Sequence, residues 1–158
     1  MLLTGLLPDI STDPAIETAT DSIETGRSGT IVAPVGIRPP LLAAVASRAA
    51  TPLVVLTATG RDAESLTNAL ASWIPGVAML PAWETLPHER LSPQVDTMAR
   101  RIAVLRRLVH PIEGDESAGP LSVLVVPIRA FLQPIISGLA DLEPVRVRAG
   151  DVVDLTEM

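Results

Sequence analysis

What most constrains this chain is a regular exchange of short, solid apolar runs for amphipathic stretches. Residues 30–34 (TIVAP), 53–57 (LVVLT), 77–80 (VAML) and 123–126 (VLVV) are compact β-branched or aliphatic runs, the way strands buried on both faces read. Between them, residues 41–50, 62–73, 95–110 and 128–133 read as helices. In the second of these, Ala63, Leu66, Leu70 and Trp73 recur on one face until Pro75-Gly76 stops the pattern. Parallel neighbours need a crossover, and the crossover is usually a helix. The alternation therefore predicts an α/β fold, a parallel sheet flanked by helices. Residues 145–148 (VRVR) differ, alternating apolar with charged as a half-exposed strand does, and follow a linker-like stretch over 138–144. The organisation expected is an N-terminal helix and lead-in over 1–26, an incomplete α/β domain over 27–143, and the beginning of a further domain over 144–158.

Composition removes several chemistries. The chain has 158 residues and a net charge of −6; cysteine is absent, and all twelve basic residues are arginine. A disulfide framework, a thiolate metal site, a Schiff-base lysine and a working Walker A lysine are thereby excluded. The apolar start, residues 1–7, has no basic flank and runs into Pro8 and Asp9, so it does not read as a signal peptide, and no apolar run is long enough to span a bilayer. A cytoplasmic protein off the membrane is expected. The acidic excess makes the chain as a whole a poor nonspecific nucleic-acid binder, leaving the arginine-rich middle as the part able to touch phosphate.

The first run, its loop and the following helix occupy the place where nucleotide-binding α/β domains put a phosphate loop. Here the loop is Val35-Gly36-Ile37-Arg38-Pro39-Pro40: one glycine, no lysine, no magnesium-binding hydroxyl, and two prolines without N–H groups at the helix entrance. It reads as a degenerate phosphate-loop remnant, with a small nucleotide-binding α/β protein as the rival reading. His88 and His110 lack metal-ligand spacing, and no nucleophile-elbow motif occurs, so no catalytic residue and no metal site is expected. In the helix after residue 95 a wheel puts Val95, Met98, Ile102, Leu105 and Val109 in the buried stripe and Arg100 and Arg107 opposite it, with Arg101 and Arg106 flanking. Arg100 and Arg107 thus form a solvated face whose alternative use is a basic contact. The acidic stretch 111–120 (PIEGDESAGP) reads as a solvated, tolerant loop. The thirteen residues 81–93 (PAWETLPHERLSP) are the stranger loop, since so long an irregular stretch inside a compact domain tends to be functional.

That loop carries a resemblance. Residues 80–108 (LPAWETLPHERLSPQVDTMARRIAVLRRL) closely resemble a stretch in the N-terminal module of bacterial transcription-repair coupling factors, in which a W-E-T-L-P core leads through S-P to an arginine-bearing helix. Trp83, Glu84, Thr85, Leu86, Pro87, Ser92, Pro93 and Asp96 match it, and the likeness runs from about residue 30 to 134. The resemblance implies a RecA-like, UvrB-like half-domain with a degenerate P-loop, interrupted by an inserted UvrA-binding-type domain that would begin near residue 144. It further implies an adapter role. The parent protein would be an ATP-dependent DNA translocase, using ATP and Mg, that removes stalled RNA polymerase from double-stranded DNA at lesions and recruits UvrA, mainly through residues beyond 158. No cofactor is expected in this chain itself.

Overall fold

The computed structural model describes residues 2–84 and 94–143. Three parallel strands form one sheet: β1 (Leu53–Thr57), β2 (Val77–Met79) and β3 (Val123–Pro127), in the order β1-β3-β2. The last strand in sequence is therefore the central one. Leu53 lies beside Val123 and Val77 lies on the other side of the same residue, so both outer strands start level with β3.

The helices divide between the two faces. On one, α1 (Leu7–Ser11), α2 (Pro14–Glu24), α3 (Arg38–Arg48) and α4 (Gly60–Leu70) enclose a core of Leu7, Ile16, Ala43, Ala44, Leu70 and Ile74 against Val123 and Val125. On the other, α5 (Val95–Val109) and the single-turn α6 (Ile128–Phe131) bury Val104, Leu105 and Ala130 against Leu124 and Val126. Alternate β3 side chains thus feed opposite cores, which is why its run is unbroken: all five residues are buried. β1 has only its Leu53 and Val55 face packed into a core. Val54 and Leu56, on the α5 and α6 side, are 51% and 48% exposed.

The helix ends follow local chemistry. Asp13 caps α2 by accepting the Ala15 N–H, with Pro14 in the first turn where its missing N–H costs nothing. Thr59 caps α4, accepting the Asp62 N–H at 3.1 Å and donating its hydroxyl to the Asp62 carboxylate at 2.7 Å. Replacing Thr59 by Ala is expected to cost about 1 kcal/mol in urea unfolding, the usual loss for an N-cap.

Two expectations are corrected. Residues 30–34 are not a strand: Ile31 and Val32 are 46% and 95% exposed. A β-branched run becomes a strand only where a neighbour takes its ladder hydrogen bonds, and among the described residues none does. The α5 stripe is also rotated. Thr97, Arg101, Val104 and Leu105 are buried while Val95, Met98 and Val109 are exposed, because the helix turns its long arginine inward, against the strap described below. The strand expected at 145–147 and the domain start over 144–158 lie outside the described residues. So do Thr85, Leu86, Pro87, His88, Ser92 and Pro93.

Candidate functional site

The described part of the W-E loop is a strap fastened at the edge of the sheet. Leu80 extends the β2 ladder by one residue, its N–H donating to the Val125 carbonyl at 3.0 Å, and Pro81, which has no N–H, ends it. From there three elements hold the backbone. Arg101 Nη1, from α5, donates to the Pro81 carbonyl at 2.6 Å. The Gln133 amide takes both sides of Trp83, accepting its N–H at 2.8 Å and donating to its carbonyl at 3.2 Å, as a neighbouring strand would. Arg129 Nη2 donates to the Glu84 carbonyl at 3.2 Å, and the Thr97 hydroxyl donates to the Glu84 carboxylate.

Arg101 is the centre of this arrangement. Its residue is wholly buried, and its guanidinium stacks over the Trp83 ring, 4.5 Å from the centroid, within cation–π range. Nε and Nη2 are buried without a hydrogen-bond partner among the described residues, and burial pushes the guanidinium pKa down. Sequence periodicity put Arg101 at the flank of the buried stripe, not within it. The signal available was Thr97, Val104 and Leu105 at i−4, i+3 and i+4, a second stripe that an arginine at its middle disguises. Gln133 and Arg129 carried no signal at all, since their roles exist only once α6 is folded beside the strap.

Glu84 is held below the usual carboxylate range, first by the Thr97 hydroxyl, then by its own and the Gln94 backbone N–H groups and the Arg129 charge, against an opposing desolvation. A carboxylate lowered in the folded state contributes stability at pH values above its unfolded pKa and loses it as pH falls through the folded value. Wild-type minus Glu84→Gln stability, from urea titrations at pH 7 and at pH 3, is therefore expected to be larger at pH 7 and to shrink toward zero in acid.

The other expected site residues lie apart from the strap. Val35, Gly36 and Ile37 form an exposed 3-10 turn running into Arg38 and Pro39 at the start of α3. A Cβ on Gly36 would meet nothing within 4 Å, and its φ is not positive, so no close approach or special curl depends on this glycine. Pro39 and Pro40 leave those two positions of the helix entrance without N–H donors. Arg100 is exposed and pairs with Asp96 at 2.9 Å, one turn earlier. Arg107, half-buried, donates to the Gly119 carbonyl at 2.7 Å, so it ties α5 to the 111–120 loop. That loop folds on itself, Asp115 Oδ1 accepting the Ser117 and Ala118 N–H groups and the Ser117 hydroxyl. At the end of α5, His110 Nε2 meets Asp141 at 2.6 Å and Arg106 reaches the Leu142 carbonyl at 2.8 Å. No group of three metal-ligating side chains occurs among the described residues. A cavity of about 280 Å³ beside Ala46, Pro52, Arg107 and Ser122 lies at the N-terminal ends of β1 and β3, the opposite edge from the one where parallel sheets bind ligands. No helix among the described residues is long and apolar enough to cross a membrane.

No protein-family model matches the chain. Curated relatives do. The chain is 46% identical over 123 residues to the transcription-repair-coupling factors of Mycobacterium bovis and Mycobacterium tuberculosis, a match covering 77% of this chain and 10% of each relative. It is 29% identical over 96 residues to the transcription-repair-coupling factor of Escherichia coli, covering 60% of this chain and 8% of that protein. The chain thus spans about a tenth of the length of the relatives it matches. Across this stretch the chain is similar to the N-terminal region of transcription-repair-coupling factors.

Proposed function

We propose that this segment is a non-catalytic adapter within a transcription-repair-coupling factor, a protein that links transcription to DNA repair. The 46% identity over 123 residues carries the reading. In this view the parent is an ATP-dependent DNA translocase that displaces stalled RNA polymerase at lesions and brings in UvrA, with the motor and most of the UvrA surface outside these residues. The RecA-like ancestry fits the parallel sheet with helices on both faces, and the open, proline-bearing turn at residues 35–40 fits a phosphate loop that has lost its task. What the segment itself does is mechanical: its two cores and the fastened Trp83-Glu84 strap make a rigid body on which neighbouring parts can be mounted.

Two measurements test the reading. Isothermal titration of the chain with Mg-ATP should give no binding heat and steady-state ATPase no signal above blank; micromolar binding or turnover would favour a nucleotide enzyme instead. Deleting the segment from a full-length coupling factor should abolish repair coupling while leaving the motor's ATPase in place. Unimpaired coupling after the deletion would remove the adapter role.

A further inference from the structure

We propose that the cavity at the N-terminal ends of β1 and β3 is a socket for one carboxylate, that of an aspartate or glutamate side chain presented by another stretch of polypeptide. The cavity measures about 280 Å³, just short of the roughly 300 to 1,000 Å³ of small-molecule sites. Its occupant is therefore the size of a single residue. Among the residues lining it, Arg107 alone carries charge. The guanidinium is held in place through Nε, which donates to the Gly119 carbonyl, while its two terminal nitrogens make no hydrogen bond among the described residues. Burial pushes the Arg107 pKa down, against the opposing influence of the Asp115 charge, the mark of a cation short of hydration. Thr51 and Ser122, also on the wall, have hydroxyls that are likewise without a hydrogen bond among the described residues. A guanidinium fixed at one end and neutral hydroxyls beside it are the donors that a carboxylate's two oxygens take up.

The surroundings select a lone carboxylate over other anions. α3 and α5 both end at the cavity, and the partial negative charge of their C-termini weighs against a doubly charged phosphate. The adjoining 111–120 loop carries Glu113, Asp115 and Glu116, so a run of acids is disfavoured where one carboxylate paired to Arg107 is not. The rest of the wall is small or apolar, Ala46, Leu108 and Leu121 among it, and suits an aliphatic stem. The chain's own setting favours a polypeptide as the source. The match covers 10% of each mycobacterial relative, so most of the polypeptide that surrounds such a segment lies outside it. Pro52, Pro111 and Pro120 make an exposed, stiff rim against which such a stretch can lie. The proposal deepens the adapter reading and rests on it for who supplies the carboxylate, not for the binding itself.

The test is an NMR titration of the 158-residue chain with glutamate blocked at both ends as N-acetyl and N-methylamide, up to about 50 mM, the weak-affinity range of a single charge pair. Saturable shifts are expected at the Thr51, Leu108 and Ser122 amides, and none with the equally blocked glutamine. Arg107→Gln should weaken binding by about tenfold or more. Because Arg107 also ties α5 to Gly119, Ala50→Leu provides a second variant: it narrows the cavity from an exposed position, leaves Arg107 in place and should weaken binding as well. Acetate and inorganic phosphate should bind several times more weakly than blocked glutamate. Equal or tighter binding of either overturns the assignment to a polypeptide side chain. Absence of saturable shifts with blocked glutamate, equal shifts with blocked glutamine, or binding indifferent to both substitutions overturns the socket altogether. Any of these failures leaves the adapter reading standing, since nucleotide titration and deletion of the segment test that separately.

Discussion

Gly76→Ala is expected to be strongly destabilising, costing on the order of 3 to 5 kcal/mol. Gly76 opens β2 with φ at +72°, in the left-handed region, and its carbonyl accepts the N–H groups of Ser122 and Val123 at 2.8 and 3.2 Å. A Cβ there would stand 2.8 Å from the Pro120 carbonyl oxygen and 2.9 Å from the Ser122 nitrogen, both backbone atoms at the entrance to β3. The variant therefore suffers backbone strain and a displaced central strand together, each worth about 1 to 3 kcal/mol. Gly114→Ala isolates the first contribution. Its φ is +79° but nothing lies within 4 Å of the position, so about 1 kcal/mol is expected. In thermal unfolding the two variants should separate by several degrees; equal midpoints would show that the approach of the 76 and 120–122 backbones is not a constraint.

Arg101 gives the second large effect, with an informative order among its variants. Arg101→Ala removes the support beneath the Trp83 ring, opens a cavity on the α5 side and leaves the Pro81 carbonyl without its donor, for about 3 kcal/mol. Arg101→Met also loses the hydrogen bond, yet it fills the space, packs on the ring and removes the two buried nitrogens that have no partner among the described residues. A half-satisfied buried charge is one of the few polar groups whose apolar replacement can come close to neutral. Met is therefore expected to cost about 1 kcal/mol, well short of Ala. Trp83 reports the outcome directly once Trp73 is replaced by Phe: its emission should shift to the red in Arg101→Ala and remain near wild type in Arg101→Met. If both substitutions are equally harmful, the cation itself, rather than its volume, holds the strap.

The sheet and its helices were legible because periodicity records burial. β3 reads as a solid run because it is covered on both faces, and α4 reads as amphipathic because Ala63 and Leu70 reach one core. The same logic misleads wherever burial has a second cause. Residues 30–34 are as β-branched as β1 but have no neighbour among the described residues, and composition cannot say whether a neighbour exists. In α5 the true inner face includes Thr97 and Arg101, whose polarity pays for itself through Glu84, Pro81 and Trp83. Of the strap, Trp83 and Glu84 were visible through resemblance, as signature positions without a role. Gln133 and Arg129, which close on it, became visible only when the fold brought residues fifty and forty-five positions apart together.

The strand order also sets when the molecule can begin to exist. Among the described residues β1 and β2 pair as strands only with β3, so a nascent chain holding both of them has no sheet to show for it until residues 123–127 have left the ribosome. Up to that moment α1 to α4 lack the central strand, Val123 and Val125, that completes their core. The arrival of β3 then supplies the strand pairing among the described residues and the floor of both cores within five residues. Non-local closure of this kind is slow and leaves the unfinished chain exposed to aggregation. A translational pause before residues 123–127 have emerged would lengthen that vulnerable interval, and one after their emergence would not.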